Sequence, residues 1–250
     1  MHGVMNTDNT TISGQTIDYG PCAFMEAYDP NTVFSSIDYH GRYAYGNQPQ
    51  IMQWNLTRLA QCLIPLIDTN QEKAIKRAQD ALSLYQTQYD AYYWNGFAQK
   101  IGLQTIQETD KSLINELFQI MMDTKADFTL TFYHLSNAIK EKTNTEYLNK
   151  LCTNQPEFTS WLKNWRARCA QQAYSTDDIS KLMHQVNPCI IPRNHRVQAA
   201  ISEIYDKNEY QMFHHYLSLL NTPYDRPSPY LAFMNPASPD EAVYQTFCGT

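Results

Sequence analysis

Residues 51–222 are written almost entirely in helical period, and that pattern limits the possible fold before any other feature does. From Glu72 onward, Ile75, Ala78, Leu82, Tyr85, Tyr89 and Tyr92 recur at alternating spacings of three and four, which lays one apolar stripe along a helix of about six turns. Such a stripe reads as core. The same reading predicts further helices over 51–67, 111–123, 125–141, 157–172, 176–186, 194–206 and 208–220. Several begin on start signals: Asp110 as a cap, Pro156 near a first turn, and Ser175 with Asp178 as a capping box. "NPCIIPRNH" at 187–195 holds two prolines and must interrupt the helices on either side.

Residues 1–50 differ, holding five of the eight glycines, and the composition shifts near Pro49. The last thirty residues, with Pro223, Pro227, Pro229, Pro236 and Pro239, read as an extended tail laid over the surface. The expected organisation is one structural domain in three stretches: a loop-rich 1–50, a helical 51–222 and a tail at 223–250. A hydrophobic content of 43% is enough to bury a sizeable core. The net charge of −6, with no block of like charges, argues against nucleic acid as a partner. Lys163, Arg166 and Arg168 sit within one predicted helix and read as a solvated face.

The longest apolar runs, such as "LIPLI" at 63–67, fall far short of the roughly 20 residues that span a bilayer. With no signal-like N-terminus, the expectation is a cytoplasmic protein with no membrane partner. Six scattered cysteines without a Cys-x-x-Cys pair argue against zinc and against a secreted disulfide framework, so most read as reduced core thiols. The sequons at Asn9 and Asn55 then carry no meaning. His214 and His215 cannot share a metal, because neighbours on a helix point about 100° apart.

The chemistry concentrates in the opening stretch, "MHGVMNTDNTTISGQTIDYGP". Gly14 and Gln15 suit the centre of a type II′ two-residue hairpin, and in that register Thr11 faces Asp18 and Asn9 faces Gly20. Asn9 and Asp18 would then be neighbours at its open end. An amide oxygen and a carboxylate are hard ligands of the kind Mg²⁺ or Mn²⁺ accepts when nucleotide phosphates supply the rest, although the same residues also serve simply as turn formers.

The segment also resembles the catalytic segment of protein kinases, in which His-Arg-Asp leads to a metal-binding Asn and then to Asp-Phe-Gly. His2 lies seven residues before Asn9, as the kinase His lies before its Asn, and "DYG" stands where Asp-Phe-Gly would. The position of the kinase's catalytic Asp, however, is Val4, while a different acid, Asp8, directly precedes Asn9. Taken together, "HGVMNTDN", "TIDYGP", "AYDPN", "GRYAYGNQP" and "WNLTRLA", with an echo in "NPCIIPRNH", resemble the selenoprotein O family of protein nucleotidyltransferases.

The resemblance implies a mainly α fold, a protein-kinase-like C-lobe with a short β-hairpin at the catalytic and metal loop. It implies transfer of AMP from ATP, or of UMP from UTP, to protein Ser, Thr or Tyr hydroxyls with Mg²⁺ or Mn²⁺. Carried over by position, Asp8 is the proton acceptor, Asn9 and Asp18 hold the metal, and Asp18 also contacts the nucleotide. His40 and Arg42 fall where an activation segment would lie and are equally candidates for substrate contact or for structure. Cys248 fits the family's tail cysteine, with Cys22 the one thiol near "DYG". The chain has no GxGxxG or GxxxxGK and only one glycine between Gly46 and Gly102, so the expectation is a C-terminal half that lacks its N-terminal lobe and is inactive alone. The competing class is a non-catalytic helical interaction module.

Overall fold

The computed structural model describes residues 3–19, 23–140, 147–150, 156–225 and 231–241. These residues are mainly helical. Eight long helices follow the predicted order: α1 (Gln48–Ile67), α2 (Gln71–Lys100), α3 (Asp110–Thr124), α4 (Phe128–Ala138), α5 (Pro156–Cys169), α6 (Thr176–Val186), α7 (Asn194–Lys207) and α8 (Gln211–Leu220). A single further turn, Leu231–Met234, lies in the predicted tail and buries Met234. Local chemistry sets the ends. Ser175 caps the helix by accepting the Asp178 amide, and its hydroxyl in turn donates to the Asp178 carboxylate, a side-chain contact in place of the full capping box's bond to the Ser175 backbone amide. α7 stops where Asn208 turns left-handed at φ 55°, a conformation asparagine tolerates.

The chain forms two compact units. Of the described residues, the smaller takes in 3–19, 23 and 30–93, and the larger 24–29 and those from 94 to 241. In the larger unit Trp161 and Trp165 stack with ring centroids 5.7 Å apart. Their indole N–H groups are satisfied on Leu113 O and Ile101 O, so both rings can be buried without an orphaned donor. Gly102, at φ 81°, packs so closely on α6 that a Cβ there would lie 2.6 Å from Ile179 Cγ2. A second cluster joins Leu130, Cys189, Ile190, Tyr216, Leu219 and Met234.

One ion cluster ties the larger unit together. Arg193, with its side chain fully buried, bonds Asp127 at 2.8 Å and lies 3.4 Å from Glu26. Asp127 also caps α4 by accepting the Leu130 amide at 2.7 Å. Around it the backbone of 26–28 runs antiparallel to 126–128, through Tyr28 N to Ala126 O and Phe128 N to Glu26 O, with Ala27 and Asp127 as a bridge. Burial opposes the charge on Arg193, but Asp127 and Glu26 outweigh it and hold the guanidinium above its ordinary value.

Several sequence readings are corrected. Among the described residues there is no β-strand, and residues 10–19 form a turn and bend instead of the expected hairpin. The physical reason is local: the Thr11 and Ser13 hydroxyls accept the amides of Ser13 and Gln15, so these groups are satisfied without a ladder. Gly14 still takes the positive φ, 68°, that a turn centre needs.

The α2 stripe is core at Ala78, but Tyr92 is 81% exposed. Asp110 is the first helical residue, not a cap, and its carboxylate grips Arg168 in a two-pronged pair at 2.8 and 2.9 Å. Arg166 donates twice to Ala138 O. Of the supposed solvated face, only Lys163 is exposed. Cys169 and Cys189 are buried thiols as expected, whereas Cys62 is exposed. Cys22, Cys152 and Cys248 lie outside the described residues.

Two outcomes follow from the buried polar groups. Asp127→Ala leaves Arg193 buried beside Glu26 alone and removes the α4 cap, so unfolding in urea should show a loss of about 3–5 kcal/mol. Burial pushes the His134 imidazole, stacked on Tyr147, down to about 4. That lies below the ordinary imidazole value of 6.5, so the unfolded state binds the extra proton between these values. Stability should therefore fall as pH drops from 6.5 toward 4, and the urea midpoint of His134→Phe should fall less over the same window.

Candidate active site

The segment that follows Gly3 folds into a tight knot. Thr7–Asn9 make one turn of 3₁₀ helix, closed by the Asn9 amide on Asn6 O at 3.1 Å. Three successive carbonyls, those of Val4, Met5 and Asn6, are then taken up by side chains. Asn9 Nδ2 donates to Val4 O at 3.1 Å, Asn55 Nδ2 to Met5 O at 3.0 Å, and Thr10 Oγ1 to Asn6 O at 3.1 Å. Asn55 also donates to Thr10 Oγ1 at 2.8 Å, so one buried amide on α1 holds both ends of the turn. From the other side, Tyr43 donates its hydroxyl to Asn6 Oδ1.

The turn is held from within and offers its side chains outward. Asp8 and Asn9 are adjacent and exposed. Because Nδ2 of Asn9 is engaged on Val4 O, its Oδ1 is the atom left to accept a cation or a donor. Val4 itself, which occupies the kinase acid's position, contributes a carbonyl and no acid. Asp18 is also exposed and follows the Gly14 turn, but no strand pairing fixes its distance from Asn9, so the register argument for their proximity does not hold. His2 and Gly20 lie outside the described residues.

Residues 38–43 are shaped by one carboxylate, since Asp38 accepts the amides of Arg42 and Tyr43 at 2.9 and 2.8 Å. The Arg42 guanidinium lies over the rings of Tyr43 and Trp54, at 5.7 and 5.1 Å from their centroids, which gives it a packing role. Among the described residues, no group of three or more His, Cys, Asp or Glu side chains is placed to hold a metal. Asp8, Asn9 and Asp18 each carry an exposed oxygen donor.

Asn55 is the residue that sequence reasoning missed. It was set aside as a meaningless sequon, yet it is the one buried residue of α1. A local signal was weak: Asn55 lies between Trp54 and Leu56, and a short amide must find partners when it is buried.

Comparison with known proteins gives two results. A family model described as "Protein adenylyltransferase SelO" matches residues 1–221. Among curated proteins, a "Protein nucleotidyltransferase YdiU" of Bradyrhizobium diazoefficiens is 46% identical over 254 residues, covering all of this chain and 51% of its own length. Proteins of the same description from Maridesulfovibrio salexigens and Bacillus mycoides are each 46% identical over 250 residues, covering all of this chain and 50% of their own lengths. The chain thus spans about half the length of the curated relatives it matches. No described helix is long and apolar enough to cross a membrane.

The knot makes a direct prediction. Asn55→Ala strips the partner from the Met5 carbonyl and loosens Thr10, so urea unfolding should show a loss of about 1–3 kcal/mol. Asn55→Asp should be at least as damaging, because it removes the same donors and buries a charge.

Proposed function

The chain belongs to the SelO family of protein adenylyltransferases, and on that premise we propose that it carries the catalytic loop of an enzyme that moves a nucleoside monophosphate from ATP, or from UTP, to protein Ser, Thr or Tyr hydroxyls. The observation that carries the reading is the turn at 7–9. It is pinned by Asn55, Thr10 and Tyr43, and it offers the Asp8 carboxylate and Asn9 Oδ1 side by side to solvent.

In this reading Asp8 is the general base. Its carboxylate takes the proton from the acceptor hydroxyl as that oxygen bonds to the α-phosphorus, and the bond from the α-phosphorus to the bridging oxygen breaks to release pyrophosphate. Asn9 Oδ1 and the Asp18 carboxylate would hold Mg²⁺ or Mn²⁺, with Asp18 also contacting the nucleotide. Bound there, the ion would offset the negative charge that builds on the phosphate oxygens. Asn9 suits the task because its other amide atom is fixed, so the oxygen is already oriented. The helical chain would form the C-lobe of a kinase-like fold. The remainder of the family protein would supply the lobe that grips the phosphates, and the complete enzyme would act in the cytoplasm.

The test uses a full-length protein that contains this chain, incubated with Mn²⁺, a protein acceptor and ATP labelled at the α- or the γ-phosphate. Label should pass from the α-position only. Asp8→Asn should lower transfer by about 10²- to 10⁴-fold while leaving ATP binding intact. Transfer of the γ-label alone would replace this reading with a kinase, and no transfer at all would favour the interaction module.

A further inference from the structure

Part of the apolar surface of α1 is left uncovered by its own unit. Of its twenty residues only Asn55 is buried, and only Arg58 is charged. Leu59, Cys62, Leu63 and Leu66 recur at the i, i+3, i+4, i+7 spacing by which a helix lines a core, yet all four face solvent. Leu59 is 38% exposed, Leu63 39% and Leu66 82%. Other positions of the helix are engaged within the same unit: Asn55 holds the catalytic turn, and Pro49 O accepts the Tyr85 hydroxyl of α2 at 2.9 Å. A solvated helix face ordinarily carries charges, which this apolar stripe lacks.

We infer that the Leu59–Cys62–Leu63–Leu66 stripe is a docking face for the part of the family protein that lies outside this chain, which packs a neutral, apolar face of its own against α1. The length comparison supports this occupant. Each relative carries about as much chain again beyond the matched span, and the stripe sits on the helix that also fixes the catalytic turn. The contact would therefore join that remainder to the element that positions Asp8 and Asn9. The inference rests on family membership and on packing, not on the nucleotidyl-transfer reading, so either can fail without the other.

Cys62, in the middle of the stripe, provides the probe. The 250-residue chain is co-expressed with the remainder of the Bradyrhizobium diazoefficiens relative, and alkylation by N-ethylmaleimide is followed residue by residue by peptide mass spectrometry. In the chain alone Cys62 should react freely, and in the co-purified complex it should react at least about tenfold more slowly. Leu63→Glu should abolish co-purification, with its helix content checked by circular dichroism, whereas Tyr205→Glu, on the exposed surface of α7, should not. Equal reactivity of Cys62 in both samples would overturn the inference, as would failure of the two parts to associate. Concentration-dependent dimers of the chain alone that protect Cys62 would also overturn it, by making a second copy the occupant.

Discussion

A guanidinium with no access to water is a constraint that its surroundings must be built around. Arg193 is costly to bury, and the larger unit meets that cost by bringing two acids to it from distant points in the chain, Asp127 at the start of α4 and Glu26 from the segment 24–29. Tyr216 of α8 adds a third line, accepting the Arg193 amide and donating to Ile191 O. Two arginine nitrogens, Nε and Nη2, have no partner, so the cluster does not fully offset its own desolvation. A buried ion pair of this kind specifies an arrangement more than it stabilises one. An apolar replacement could fill the space, but it could not demand that 26–28, 126–128 and the 187–193 loop meet at one point.

Residues 3–19 and 30–93 belong to the smaller unit, whereas residues 24–29 belong to the larger. Within the smaller unit, Asn55 plays the corresponding part on a smaller scale. Its buried Nδ2 donates to both the Met5 carbonyl and the Thr10 hydroxyl, so helix and turn fix each other.

Where a pattern has a period, the sequence could be read. The helices were legible because apolar spacing and capping residues act within a few positions of themselves, as Ser175 and Asp178 do. What was not legible depended on partners far away in sequence. Nothing near Arg168 announces that Asp110 will grip it, and nothing near Arg193 announces Asp127. The hairpin failed for the opposite reason: its glycine was read correctly, but the Thr11 and Ser13 hydroxyls offered the backbone a nearer partner than a second strand. Asp8 and Asn9 were singled out through ordered motifs, and the physical account of how the turn that carries them is held comes from contacts that no motif states.

The choice of asparagine at position 9 follows from that account. In the turn, the carbonyls of Val4, Met5 and Asn6 are all occupied by side-chain donors, and the donor for Val4 is Asn9 itself. An amide has a donor at one end and an acceptor at the other, so it can close the turn with Nδ2 and still present Oδ1. An aspartate could present an oxygen, but it has no proton for the Val4 carbonyl and would repel the neighbouring Asp8 carboxylate.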